Sequence, residues 1–230
     1  MSIDQKRRQK QLARKAAKRK KILRERRASH GGMDATSMKG LIHLASNSPI
    51  HECLVPKGIF DLGIGDVVIS RRMPDGSIAV SIFLVDTYCL GVKDCFFRVA
   101  SRHELESRIA HLREKEALQR VDPEYAVKLI EGAVAYARVI GFDPHKDYAF
   151  VKKIFGTIDP SSCSSEFEFG KDGKPFYVSG PHQTEADSQR IINILNERFG
   201  PGGIDYMVGG PLGEDLGETE EDEDEDTEPF

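Results

Sequence analysis

DVVISRRMPDGSIAVSIFLVDTYCLGVKDCFFRV, residues 66–99, is the most apolar and most strand-like stretch of the chain. Val67 and Ile69 alternate with Val68, Ser70 and Arg72, the period of two that sends successive side chains to opposite faces of a sheet. Met73-Pro74-Asp75-Gly76 places Pro and Gly where a four-residue turn favours them. From Ser77 the pattern resumes, with Ile78, Val80, Ile82 and Leu84 on one face and Ala79, Ser81, Phe83 and Val85 on the other. β-Branched and aromatic residues on both faces predict a central strand buried on both sides. Residues 67–72 and 77–88 therefore predict a hairpin, with Arg71 and Arg72 at its solvent-exposed tip. Gly91 breaks the run, and Cys95–Val99 predicts a third strand.

Working outward, the flanks turn helical and then charged. Ser101 and Glu104 form a capping box before a helix to about residue 118 that buries Leu105, Ile109 and Leu112. Asp122-Pro123 restarts the chain as N-cap and first helical residue of an almost wholly apolar helix to Ile140. Asp143-Pro144 opens a shorter one that Gly156 stops. Thr184 caps a last helix with Ile191, Ile192, Leu195 and Phe199 on its inner face. Gly40–Ala45 and Ile50–Val55 predict short strands, and Ile59–Gly65 a loop tucked under the sheet. Glu166–Phe169 and Pro175–Ser179, around Gly170-Lys171-Asp172-Gly173, predict a second hairpin. The expected fold is α+β: a mostly antiparallel sheet packed against about four helices. It occupies one globular domain, residues 38–208, between a basic arm with its linker (1–37) and an acidic tail (209–230). Both charged ends are expected to be disordered.

The net charge of −4 over 230 residues hides a strong polarity. Residues 1–27 hold thirteen cations, Lys6, Arg7, Arg8, Lys10, Arg14, Lys15, Lys18, Arg19, Lys20, Lys21, Arg24, Arg26 and Arg27, against two acids, Asp4 and Glu25. Residues 214–230 hold eleven acids and no cation. A cation-dense segment suits phosphate binding, because affinity then comes from released counterions rather than shape. Lys and Arg are mixed and aromatic residues are absent from it, which favours structured RNA or duplex backbone over stacking on single strands. The plainer readings are a solubilising or targeting segment. The acidic tail is a solvated end, a partner that screens the arm in cis, or a site for cations of a metal or a basic protein.

No run of 18 apolar residues exists, so no membrane span and no membrane partner is expected. The N-terminus lacks the apolar region of a secretory signal. Cys53, Cys89, Cys95 and Cys163 form no C-x-x-C pair and lie among apolar residues, as in a cytoplasmic protein with reduced thiols.

Asp86-Thr87-Tyr88-Cys89-Leu90-Gly91-Val92-Lys93-Asp94-Cys95 has the densest set of reactive groups. Asp86 and Asp94 suit a divalent metal and Cys89 a nucleophile, yet each needs a partner that the local sequence does not supply. The plainer reading is a buried cysteine and a charged tight turn. Leu84–Asp94, LVDTYCLGVKD, together with the lysine-rich N-terminus, resembles a family of uncharacterised bacterial proteins over the globular middle. The resemblance implies a bacterial cytosolic protein and implies no chemistry.

His51-Glu52-Cys53 with Cys89 and Cys95 offers zinc donors at no standard spacing, so no metal and no cofactor is expected. No HExxH, GxSxG or phosphate-loop motif is present. Ser179–Thr184 leads to a helix N-terminus that suits an anion or an ordinary cap. Phe167, Phe169, Phe176 and Tyr177 suit base stacking or a core. The expected function is non-catalytic nucleic-acid binding, RNA favoured over DNA and the ribosome included, through the basic arm. The alternatives are a metal-dependent phosphodiesterase or thiol hydrolase centred on Asp86, Cys89, Lys93 and Asp94, and a protein-interaction adaptor using the charged tails.

Overall fold

The computed structural model describes residues 35–179, 184–200 and 203–207. Five strands form one antiparallel sheet: β1 (Ile50–Pro56), β2 (Ile64–Arg72), β3 (Ile78–Asp86), β4 (Gly91–Ala100) and β5 (Leu118–Val121), in spatial order β4-β3-β2-β1-β5. The hairpin expected from the alternating pattern is β2–β3, with Val67 opposite Phe83 and Arg72 opposite Ile78. Asp75 accepts hydrogen bonds from the Ser77 amide and hydroxyl, and Gly76 takes a φ of 83° to close the turn. β4 follows antiparallel and starts at Gly91, four residues before the third strand predicted at Cys95.

Six α-helices surround this sheet among the described residues: α1 (Ala35–Ser46), α2 (Ile59–Leu62), α3 (Arg102–Lys115), α4 (Pro123–Val139), α5 (Tyr148–Val151) and α6 (Glu185–Phe199). On one face Val67, Ile69, Phe83 and Val85 pack with Ile42 of α1, Leu129 and Ile130 of α4, Val151 of α5 and Ile154 of the 3₁₀ turn Lys152–Phe155. On the other face Val68, Ile78, Val80 and Ile82 pack with Leu105, Ile109 and Leu112 of α3. This two-sided cover explains why the central strands carry apolar residues on both faces. α3 begins at the capping box, where Ser101 and Glu104 each accept from the other's amide. α6 packs Ile192 and Leu195 against Ile140, Tyr177 and Cys89 in a third, smaller core.

Five expectations are corrected, besides two local ones: Ile59–Gly65, expected as a loop, is helix α2 (Ile59–Leu62) running into β2, and the short helix expected from Asp143-Pro144 starts only at Tyr148. Gly40–Ala45 lies inside helix α1; Met38, Leu41, Ile42 and Ala45 recur at helical spacing and meet the core together. Leu118–Val121, expected as a linker, is an edge strand that pairs with β1, Cys53 opposite Val121. Four residues are too few to show alternation. The second hairpin does not form, since Lys171 and Lys174 make only an isolated bridge. Instead β6 (Phe176–Val178) pairs in parallel with β7 (Asp205–Met207). Phe199 is 39% exposed rather than on the inner face of α6.

The fifth correction is Arg71, which is buried rather than at the tip in solvent. Alternation along β2 carries it to the same face as Val67 and Ile69. Its guanidinium donates from Nε to the Ile154 carbonyl (2.7 Å), from Nη1 to Ser48 (2.6 Å) and from Nη2 to Phe155 (2.5 Å). Arg72 points to the opposite face and is exposed. Replacing Arg71 by Ala removes a charged donor from three carbonyls in one step. The expected loss is about 3–5 kcal/mol, as for breaking a buried charged interaction. Arg71→Lys keeps the charge without the planar fork and should recover only part of it. Urea denaturation of the two variants measures both values.

Candidate functional site

The loop Thr87–Leu90 joins β3 to β4 and gathers most of the reactive groups. Asp86, at the end of β3, is buried. Its Oδ1 accepts from the amides of Tyr88 (3.0 Å) and Cys89 (2.8 Å), and its Oδ2 lies 3.9 Å from Lys93 Nζ. The carboxylate thus closes the loop from within, in the manner of an Asx turn. Burial pushes its pKa up; Lys93 and the loop amides oppose that shift.

Cys89 is wholly buried in the third core, and burial, reinforced by Asp86, pushes its thiol pKa up. A thiol held in this way is an inert packing group rather than a nucleophile. Asp94 stands apart: it is exposed, and its carboxylate lies 3.8 Å from His145 Nε2. The structure therefore brings Asp86, Lys93 and the Cys89 amide together and leaves Asp94 outside.

His145 was not singled out from sequence. It sits fifty residues beyond Cys95, so only the tertiary fold pairs them. Its Nδ1 lies 3.9 Å from Cys95 Sγ and 3.8 Å from Asp147, while Asp94 flanks Nε2. This is a thiol–imidazole–carboxylate row in outline. Two observations tell against nucleophilic use. Cys95 is buried and its thiol is pushed up to about 12 by burial, and Nδ1 already accepts from the Asp147 amide at 3.4 Å. The row ties β4 to the loop before α5.

The remaining sequence candidates are dispersed. His51 Nδ1 accepts from Arg72 Nε at 3.2 Å, and Cys53, pushed up to about 12 by burial, faces the larger core. Among the described residues no three His, Cys, Asp or Glu side chains converge on a point that would hold a metal. At the start of α6, Thr184 and Asp187 cap each other, while His182 lies outside the described residues. Phe167 and Phe169 pack on the core, Phe167 stacked 5.6 Å from Phe60. All thirteen cations of the basic arm also lie outside the described residues.

Among the described residues, two of the open clefts stand near the candidate residues. One, of about 510 Å³, is lined by Phe60, Asp61, Tyr88, Glu166, Phe167, Glu168, Lys171 and Asp172 among others. The second, of about 490 Å³, is lined by His51, Glu52, Arg120, Asp122 and neighbours. Neither includes Asp86, Cys89, Lys93 or Asp94. Among the described residues no helix is long and apolar enough to cross a membrane. Protein-family models, curated proteins and solved structures give no match to this chain.

The Asp86 arrangement predicts a pH signature. Its folded pKa lies above the ordinary 3.8, so the folded chain holds a proton that the unfolded chain has released. That contribution is complete below the unfolded pKa and is lost as pH rises toward the folded one, by about 1.4 kcal/mol per unit of separation. Asp86→Asn retains the Oδ1 acceptor and removes the titration. The stability of the wild type minus that of Asp86→Asn, from urea melts between pH 4 and 8, should therefore fall with rising pH and then level off. A difference independent of pH would contradict the assignment.

Proposed function

We propose that this chain is a non-catalytic RNA-binding protein whose residues 1–27 grip phosphates, with the α+β domain as their scaffold. The observation that carries this reading is the arm itself: thirteen cations against two acids in 27 residues. Such a density binds by releasing condensed counterions and needs no preformed pocket. The mixture of Lys and Arg without aromatic residues favours structured RNA or duplex backbone over stacking on single strands, and the ribosome is one place that presents structured RNA. A bacterial cytoplasmic setting belongs to the same proposal and rests on the likeness of Leu84–Asp94 to lysine-rich bacterial proteins.

The geometry supports this reading over catalysis at the β3–β4 loop. A phosphodiesterase metal needs carboxylates that converge, and Asp86 is buried against Lys93 while Asp94 faces His145. A thiol hydrolase needs an accessible thiol beside a base, and Cys89 is buried with its pKa raised.

Fluorescence anisotropy with a structured RNA at 50 and 200 mM salt tests the proposal. If about six of the thirteen cations meet phosphates, log K should fall with log salt at a slope of about −4 to −5. Deleting residues 1–27 should remove most of the affinity and most of the slope. Equal binding by the full chain and the truncated chain would overturn the reading.

A further inference from the structure

The cleft of about 510 Å³ has walls fixed by specific contacts. One wall is α2, held by the Tyr88 hydroxyl, whose single proton is shared between the carbonyls of Phe60 and Asp61, both at 2.8 Å. Gly63, left-handed at φ 76°, follows α2; a Cβ there would meet the Tyr88 ring at 2.1 Å. The opposite wall is the 166–172 segment, fixed where the Gly170 amide donates to the Thr87 carbonyl at 2.9 Å. Phe60, Phe167 and Tyr88 form the floor, and Phe167 also meets Tyr125 edge-on at 4.8 Å.

The rim is acidic. Asp61, Glu166, Glu168 and Asp172 are exposed around it. Lys171 is the one cation in the lining, and its Nζ sits over the Phe176 ring, 4.5 Å from the centroid. Glu166 reaches Lys128 at 3.5 Å. Among the described residues, Asp61, Glu168 and Asp172 have no cationic partner within salt-bridge distance. Asp61 and Asp172, from opposite walls, both act on the Tyr88 phenol, adding to the upward push that burial gives its pKa. Carboxylates above aromatic faces are the chemistry that holds ammonium and guanidinium groups, by ion pairing and by the ring quadrupole together.

We infer that this aromatic-floored cleft is a docking groove for the chain's own basic arm, residues 6–27, and that the groove competes with RNA for it. The charges are complementary, and the occupant is on the same chain. Residues 28–34 join the arm to α1. At about 3.3–3.6 Å per extended residue, arm and linker together reach any face of a domain this size. Tethering also raises the local concentration of the arm to about the millimolar range, so weak contacts suffice. Leu62, 65% exposed, and Ile64, 38% exposed, follow Asp61 and offer an apolar ledge to Leu12, Ile22 and Leu23 of the arm. The acidic tail offers charge but, among residues 214–230, a single aromatic ring, Phe230. The competition rests on the RNA-binding reading; the docking does not.

Zero-length carbodiimide coupling of the full chain, read by peptide mass spectrometry, tests the docking. Arm lysines should couple to Asp61, Glu166, Glu168 or Asp172 at low salt, and these links should fade at about 1 M salt, where screening extends to within roughly 3 Å. The variant D61N/E166Q/E168Q/D172N should lose the links. All four side chains are on the surface, and circular dichroism checks that the variant keeps its fold. If the arm is docked nine-tenths of the time, the variant should bind RNA about tenfold more tightly, because the competent fraction rises to one. Arm lysines coupled only to acids of residues 214–228, or to none, would overturn the docking. Links to the groove with no RNA binding by either protein would retain the docking and overturn the RNA reading. Groove links with equal RNA affinity in both proteins would overturn the competition.

Discussion

The Arg71 guanidinium, buried near the end of β2, joins segments that lie far apart in the chain: Ser48 just beyond α1, and Ile154 and Phe155 in the 3₁₀ turn after α5. Terminal carbonyls of helical segments lack main-chain partners and carry partial negative charge, so a planar cation among them answers both needs. Burying a guanidinium is costly, and three charge-assisted bonds in fork geometry offset that cost. Gly156 follows at φ 61°, where a Cβ would come 2.1 Å from the Ser46 carbonyl. The layer of α1, α5 and the 3₁₀ turn is thus pinned to the sheet at one point with little tolerance.

With that layer fixed on one face and α3 on the other, the sheet has no broad face left for a substrate. Its features of interest are displaced to the ends of strands. The β3–β4 loop is held by Asp86 from inside, and the same loop presents Tyr88 outward to α2 and the 166–172 segment. The buried acid and the exposed acidic cleft are therefore two sides of one loop. The inner side is closed by burial, while the outer side is open and acidic.

The strands that decide the fold were legible because their pattern is long. Nine residues of alternation with a Pro-Asp-Gly turn leave one register. The capping box at Ser101 and the cap at Thr184 were legible for a local reason: donor and acceptor sit three residues apart. What misled was short or tertiary. Gly40–Ala45 carries the helical spacing of α1 only when Met38 is counted with it. Leu118–Val121 becomes a strand because β1 offers it an edge. Arg71 beside Arg72 reads as a polar tip, and no local signal says that one faces three carbonyls and the other water. The Asp86–Lys93 pair lay within one stretch and was visible as a cluster, but its burial was not. His145 meets Asp94 and Cys95 only through the fold. The cleft was invisible for the same reason, since it combines α2 with residues a hundred positions later.

On the proposed reading, the charged arm binds RNA and the domain positions it. Amide chemical-shift mapping of the full chain by NMR, with structured RNA added stepwise at low salt, tests that division most directly. The account predicts large changes in residues 6–27, smaller ones around Asp61, Tyr88 and Glu166–Asp172 as the arm leaves the cleft, and none across β1–β3. Changes centred on Asp86–Asp94 with the arm unmoved would contradict it, and would return the β3–β4 loop to first place as the working site.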